Sequence, residues 1–147
     1  MATCALVLTA VVALVLSVID RQTHRLPDAI IGPALAASLA CFAVTDLPRL
    51  AVAAAGGVTL AGLYGLLWAV ARGGFGLGDV KLAALLGLTA GWVGPAAVWW
   101  TGVLPFVFGG MAAVFLLATG AAYRSSHLAF GPHMAAAWLL ALAFSPG

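Results

Sequence analysis

At residues 73–82 the chain reads Gly73-Gly74-Phe75-Gly76-Leu77-Gly78-Asp79-Val80-Lys81-Leu82. This stretch places a carboxylate behind a glycine-rich segment in a chain that is otherwise strongly apolar. A carboxylate at the centre of a membrane helix costs about 2.5–3.5 kcal/mol on insertion scales, so it is tolerated mainly where it faces water, a partner or a substrate. Asp79 is therefore the first candidate for chemistry.

The composition indicates an integral membrane protein. Hydrophobic residues make up 65% of the 147 residues and charged residues only 7%, whereas soluble domains carry about 25% charged residues. Because a membrane helix needs about 20 apolar residues, we expect an all-α, polytopic membrane helical bundle of about six transmembrane helices. The formal charge of +2 gives no sign of a nucleic-acid-binding surface.

Apolar runs separated by short polar breaks predict the individual spans. These lie near residues 2–19, 29–45, 50–71, 80–92, 95–119 and 128–145. The fourth run is shorter than the roughly 17 residues that a full crossing requires. It either thins the bilayer locally or begins in a cavity, and we favour the cavity, which would set Asp79 below the membrane surface.

The distribution of basic residues predicts the orientation. Odd-numbered loops and their flanks contain Arg21, Arg25, Arg72, Lys81 and Arg124, whereas Arg49 lies on the opposite side. Cytoplasmic loops retain lysine and arginine, so we expect the N-terminus outside and the first, third and fifth loops in the cytoplasm. The first apolar run has no preceding basic residue and no small-residue cleavage site, so we interpret it as a retained helix rather than a signal peptide.

Two of the four acidic residues, Asp20 and Asp79, lie at the predicted cytoplasmic ends of different helices. Two carboxylates that share one proton can activate a water molecule and protonate a departing amine, as in aspartic proteases. A structural alternative remains, in which Asp20 caps a loop or pairs with a neighbouring arginine and Asp79 is only the N-cap of helix four. Asp28 follows Leu26-Pro27 and is expected to be the N-cap of the second helix.

No metal or cofactor site is expected. Cys4 and Cys41 lack CxxC spacing, so they indicate neither a zinc site nor a disulfide framework. The histidines His24, His127 and His133 show no metal-ligand spacing.

Three blocks of sequence carry a resemblance to a known family. The first is Ile19-Asp20-Arg21-Gln22-Thr23-His24-Arg25-Leu26-Pro27-Asp28, an aspartate followed by a basic stretch and Leu-Pro-Asp. The second, Phe75-Gly76-Leu77-Gly78-Asp79-Val80-Lys81-Leu82, has the form Gly-x-Gly-Asp with a lysine two positions on. The third is Ala129-Phe130-Gly131-Pro132. In this order they resemble the prepilin peptidase (type IV prepilin or leader peptidase) family in its minimal form.

The resemblance implies a single integral-membrane aspartic peptidase domain over residues 1–147, of the Gly-x-Gly-Asp class. It implies that Asp20 and Asp79 are catalytic and that Gly76 and Gly78 shape a mobile loop that presents Asp79. Lys81 is expected to support this site by pairing with an acidic group or a lipid phosphate. Snorkelling of Lys81 from the helix end is the alternative.

The resemblance also implies the substrate, the partners and the location. The implied substrates are type IV pilin-like (pseudopilin) precursors, cut at the cytoplasmic face of the inner (cytoplasmic) membrane without metal or cofactor. The other expected partners are the lipid bilayer and a second copy of the chain in a homo-oligomer, with no nucleic acid. Because the chain lacks the CxxC-containing insertion of larger members, we expect no methyltransferase activity.

Two other classes of protein remain open. A non-enzymatic small membrane transporter or scaffold would also be rich in alanine and glycine, with rare buried charges. A presenilin-like protease also uses a Gly-x-Gly-Asp aspartate, but its first aspartate follows tyrosine within a helix. Here Ile19 precedes Asp20 and a basic loop follows, which favours the prepilin peptidase interpretation.

Overall fold

The chain folds as a bundle of α-helices. The computed structural model describes residues 1–23, 25–71, 76–120 and 129–145. Within these ranges the helices are α1 (Ala2–Thr23), α2 (Asp28–Ala43), α3 (Leu47–Ala71), α4 (Leu77–Val93), α5 (Pro95–Ala118) and α6 (Gly131–Phe144). The expected all-α bundle is therefore confirmed, with one helix for each predicted span.

The helix boundaries differ from the predicted spans by a few residues, as α1 and α6 show. Helix α1 continues past the predicted residue 19 to Thr23, and the Thr23 hydroxyl donates a hydrogen bond to the carbonyl of Ile19 at 2.9 Å. Helix α6 begins at Gly131 rather than near residue 128, with Pro132 in its first turn. Proline is well suited to this position because the first turn of a helix does not need its N–H.

Three of the described helices, α1, α3 and α5, are long and apolar enough to cross a membrane, whereas α2 and α6 are shorter apolar helices. The outer face of α1 is apolar, and its exposed side chains include Val7, Val11, Leu14 and Val18. Exposed aliphatic side chains over several helical turns match a lipid-facing surface. Length, composition and exposure thus agree with an integral membrane bundle.

Helix α4 is the central helix. It contacts α1, α2, α3, α5 and α6. Its buried residues are Asp79, Leu82, Ala83, Leu85, Leu86, Gly87, Leu88, Thr89, Ala90, Gly91 and Trp92. A helix that is apolar on every side is buried among other helices, so the shortest predicted span is the one most enclosed by protein.

Glycines bring α3 and α4 into close contact. A Cβ atom added to Gly56 would lie 2.5 Å from the Gly87 carbonyl oxygen, and one added to Gly91 would lie 2.9 Å from the Ala53 Cα. Gly87 and Gly91 stand four residues apart in the sequence, a spacing that predicts close helix packing in lipid, and this packing is confirmed. Packing is the default expectation for Gly110 as well, but it is wrong within the described residues, because nothing lies within 4 Å of a Cβ added there.

The C-terminal end of α4 is held by an arginine from α3. Arg49 Nε donates a hydrogen bond to the Trp92 carbonyl at 2.8 Å, and its guanidinium lies 5.4 Å from the Trp92 ring centroid. Phe42 stacks on the same indole with centroids 4.2 Å apart. These contacts anchor α4 at one end and leave its other end, with Asp79, to meet the α1–α2 connection and α6.

The described basic residues are distributed unequally between the two ends of the bundle. Lys81 and Arg21 lie at the end where α1 finishes and α4 begins, whereas Arg49 lies at the opposite end beside Trp92. Arg72, Arg124 and residues 73–75 lie outside the described residues. Among the described residues, the charge asymmetry used for the orientation is thus present in the folded chain.

Candidate active site

The last full turn of α1 positions Asp20. Its side chain is buried, with a relative exposure of 6%. Oδ2 of Asp20 accepts a hydrogen bond from the backbone N–H of Gly131 at 2.9 Å. Gly131 is the first residue of α6, so the carboxylate faces a helix N-terminus, where free N–H groups and the helix dipole favour a negative charge.

The fold requires glycine at position 131, because a side chain there would collide with Asp20. A Cβ atom added to Gly131 would lie 2.9 Å from Asp20 Oδ2 and 3.3 Å from its Cγ. The sequence identified the Ala129–Pro132 block only as the start of the last helix, and its direct contact with Asp20 was missed. No local signal in either segment indicates a pairing between residues 111 positions apart.

The first turn of α4 positions Asp79. Gly76 is the N-cap, and its N–H donates to Asp79 Oδ2 at 3.1 Å while its carbonyl accepts from the Asp79 N–H at 3.1 Å. The bond from the Gly76 N–H to the Asp79 carboxylate is one half of a capping box, and the backbone carbonyl of Gly76 replaces the N-cap side chain in the other half. The alternative that Asp79 is itself the N-cap is therefore wrong. Asp79 lies inside the helix and is 8% exposed.

The glycines that precede Asp79 differ in position. Gly76 lies outside the helix, whereas Gly78 lies within the first turn of α4. The predicted presenting loop is thus partly helix, and Gly73–Phe75 of that loop lie outside the described residues. A Cβ added to Gly78 would lie 2.6 Å from the Cβ of Leu26, so close packing against Leu26 requires glycine here.

The two aspartates lie within electrostatic reach of one another, although they belong to different helices. Each accepts a backbone N–H from the beginning of a helix, α6 for Asp20 and α4 for Asp79. In the part of the chain that the structure describes, no lysine, arginine or histidine forms an ion pair with either carboxylate. The site is thus a buried carboxylate pair with neutral hydrogen-bond donors.

An aromatic cluster borders the pair. Tyr64 on α3 is 1% exposed and lies within electrostatic reach of Asp79. Its ring centroid is 5.5 Å from that of Phe106 and 6.1 Å from that of Phe130. Phe130 immediately precedes Gly131, so the cluster connects both halves of the site. The sequence did not single out Tyr64, because one tyrosine in an apolar helix carries no distinctive spacing.

The segment after α1 contacts the start of α4. Lys81 Nζ and Asp28 Oδ2 form an ion pair at 2.5 Å. The predicted pairing of Lys81 with an acidic group is therefore confirmed. The prediction that Asp28 is the N-cap of α2 is wrong, because Pro27 occupies that position and Asp28 begins the helix. Its carboxylate binds a residue of another helix instead.

A groove of about 290 Å³ runs between α1 and α6. Its walls are mainly apolar and include Leu14, Val18 and Leu139, and it also contacts Arg21 and Pro132. Arg21 follows Asp20 in sequence and Pro132 follows Gly131. The groove therefore runs along the outer side of the two segments that meet at Asp20.

Histidine and cysteine side chains are dispersed. Across the described ranges, no three His, Cys, Asp or Glu side chains are placed to hold a metal ion. The His133 ring nitrogen Nδ1 lies 3.0 Å from the Ala129 carbonyl, and since a carbonyl can only accept, Nδ1 donates this hydrogen bond. His24 and His127 lie outside the described residues.

Comparison with known proteins places these features in a family context. Residues 7–121 match the model of the type IV leader peptidase family. A prepilin leader peptidase/N-methyltransferase from Pseudomonas putida is 37% identical over 136 residues, which cover 88% of this chain and 46% of the relative. The chain thus spans about half the length of this curated relative. No solved structure gives a significant match.

Proposed function

Because the chain belongs to the type IV leader peptidase family, we propose that it is a membrane aspartic endopeptidase that cleaves the leader peptide from type IV pilin-like (pseudopilin) precursors. The observation that carries the proposal is that Asp20 and Asp79 are both buried and lie within electrostatic reach of one another. Each aspartate comes from a different one of the three sequence blocks that resemble the family. An isolated buried carboxylate is costly, so a buried pair with matched donors supports a catalytic role.

The proposed reaction uses the two carboxyl groups alternately as base and acid. The ionised one removes a proton from a water molecule, which attacks the scissile carbonyl carbon to form a tetrahedral gem-diol. The protonated one gives its proton to the carbonyl oxygen, which completes the gem-diol. As the C–N bond breaks, the first carboxyl group delivers the proton it took from water to the departing amine, and the second recovers a proton from the gem-diol. This mechanism needs neither a metal ion nor a covalent bond between enzyme and substrate.

The contacts of the pair support this chemistry in a specific way. The N–H groups of Gly131 and Gly76 fix one oxygen of each carboxylate. Among the described residues no hydrogen bond is made to the other oxygen of either group, and in the proposed mechanism this oxygen interacts with water or substrate. Such backbone hydrogen bonds hold acid and base in place without adding a charge that would neutralise them.

The proposed setting is the inner (cytoplasmic) membrane, with the N-terminus outside and the active site toward the cytoplasm. Residues 1–147 would act as one integral-membrane peptidase domain. The basic residues Arg21 and Lys81 lie at the same end of the bundle as the aspartate pair, which supports a cytoplasmic site. The leader of a precursor would reach the pair from the cytoplasm while its apolar helix remains in the membrane.

The deciding experiment is cleavage of a matched prepilin by the purified protein in proteoliposomes. We expect the wild type to cut after the leader and Asp20→Asn and Asp79→Asn to be inactive, because asparagine cannot exchange the required proton. Asp46→Asn is the matched control, since Asp46 accepts only the N–H of Arg49 at the opposite end of the bundle. Circular dichroism and gel filtration verify the fold of each variant.

The outcomes separate the peptidase from the alternative of a transporter or scaffold. Loss of cleavage in both active-site variants, with the Asp46 variant fully active, supports the two-aspartate peptidase. Cleavage by either active-site variant at the wild-type rate would refute the catalytic assignment. A correctly folded wild type that cleaves no prepilin from its own organism would favour the non-enzymatic alternative.

A further inference from the structure

The connection between α1 and α2, together with the first residue of α2, makes two contacts with the start of α4. The first is the close approach of Leu26 to Gly78, where an added Cβ would lie 2.6 Å from Leu26 Cβ and 3.2 Å from its Cδ1. The second is the ion pair between Asp28 and Lys81. We refer to Leu26, Asp28, Gly78 and Lys81 as the clasp.

The clasp lies beside both aspartates along the chain. Gly78 directly precedes Asp79, and Lys81 follows it within the same helical turn. Leu26 lies in the connection that follows α1, and Asp28 is the first residue of α2. The clasp therefore joins the start of α4, which holds Asp79, to the segment that directly follows α1, which holds Asp20.

The ion pair contributes little to the overall stability of the fold. The side chains of Lys81 and Asp28 are 49% and 66% exposed, and exposed ion pairs are worth little because solvent screens them and ordering the side chains is unfavourable. The buried core is formed elsewhere, by residues such as Leu85, Leu86 and Trp138. A change in the ion pair is therefore expected to alter local geometry while leaving the bundle folded.

We propose that Asp28 and Lys81 are positioning residues that, together with the Leu26–Gly78 contact, set the relative placement of Asp20 and Asp79. This inference rests on the proposed two-aspartate function. Reacting groups must be held to within a fraction of an ångström, and a displacement of about 1 Å can cost about 100-fold in rate. A clasp between the two supporting elements restricts such displacements.

The first test measures kcat and KM for prepilin cleavage in proteoliposomes with Asp28→Asn and Lys81→Met. We expect kcat to fall about two- to fivefold in each single variant, because losing the ion pair relaxes the geometry of the carboxylates but an exposed pair can restrain it only weakly. KM is expected to change less than about twofold, since an interaction that matters only in the transition state lowers kcat and kcat/KM equally. Asp46→Asn is the control for loss of an exposed carboxylate.

The second test is the double variant Asp28→Asn/Lys81→Met. If the two residues act through their mutual contact, the double variant is expected to show about the same kcat as either single variant, because residues in one contact are not additive. If Lys81 instead acts alone on substrate or lipid, the two losses multiply. Multiplying losses would overturn the proposal.

The third test exchanges the charges in Asp28→Lys/Lys81→Asp. We expect it to recover about half or more of the kcat lost in either charge-reversed single variant, since the attraction between the two positions is restored. Unfolding midpoints in detergent are expected to match the wild type for all these variants. Wild-type kcat in both neutralising variants would also overturn the proposal.

These outcomes are distinguishable from failure of the proposed function. Active Asp20→Asn or Asp79→Asn protein would refute the two-aspartate mechanism itself. Inactive aspartate variants with fully active clasp variants would retain that mechanism and refute only the positioning role.

Discussion

The backbone N–H of Gly131 donates a 2.9 Å hydrogen bond to the carboxylate of Asp20, which lies 111 positions earlier in the chain. This contact joins the end of α1 to the beginning of α6. It also leaves no space for a side chain at Gly131, where a Cβ would lie 2.9 Å from the same carboxylate oxygen. Helix α6 therefore supplies a hydrogen bond to Asp20 in addition to packing against the other helices.

Gly131→Ala is expected to reduce prepilin cleavage about 10- to 100-fold, because the added methyl group displaces Asp20 from its hydrogen bond. Gly110→Ala is the matched control, since nothing lies within 4 Å of a Cβ at that position. Both rates are measured in proteoliposomes at equal protein content. Equal activity of the two alanine variants would show that Asp20 does not depend on the contact.

Gly78→Ala is expected to lower activity with little change in stability. Its methyl group would meet Leu26 at 2.6 Å and move the first turn of α4, which contains Asp79. Alanine improves helix propensity by about 1 kcal/mol over glycine, which offsets part of the steric cost. Parallel assays of kcat and of unfolding in detergent check this expectation, and a variant with intact kcat would contradict it.

Gly87→Ala is expected to destabilise the whole bundle by about 1–3 kcal/mol, the usual cost of overpacking a well-packed interface. Its Cβ would lie 2.6 Å from the Gly56 carbonyl oxygen, a backbone atom that cannot move aside easily. Gly62→Ala on α3 is the control, because nothing lies within 4 Å of a Cβ at that position. Unfolding by denaturant in detergent gives the difference, and equal midpoints would refute the prediction.

The orientation is tested by labelling single cysteines with a membrane-impermeant maleimide, after Cys4 and Cys41 have been replaced by alanine. We expect Asp46→Cys to be labelled in right-side-out vesicles and Thr23→Cys only in inverted ones, because basic residues retain the first loop in the cytoplasm. Both positions are exposed at opposite ends of the bundle. The reverse labelling pattern would refute the proposed cytoplasmic site.

Much of the fold could be predicted from the chain alone. The all-α bundle and its six helices follow from apolar runs long enough to satisfy their own backbone hydrogen bonds in lipid. The packing of Gly87 and Gly91 followed from small residues spaced four apart on one helical face. The ends of the helices were less accurate, because Asp20 and Thr23 continue α1 although they are polar.

The residues of the candidate site could be predicted from the sequence, but the contacts between them could not. Asp20 and Asp79 could be identified because acidic residues are so rare in this chain. The clasp contact of Asp28 was missed, since Asp after Pro27 is equally typical of a helix N-cap. Tyr64 was missed for a similar reason, because its residue type and spacing do not differ from those of a core aromatic.

The sequence by itself determined that the chain is helical, where its helices run and which carboxylates are costly enough to need an explanation. These properties depend on local composition and on periodicity along one segment. The tertiary structure alone decided that Asp20 meets Gly131, that Asp28 meets Lys81 and that α4 lies at the centre. Such contacts depend on how separate helices pack, and many pairings of apolar faces are compatible with the same hydrophobic pattern.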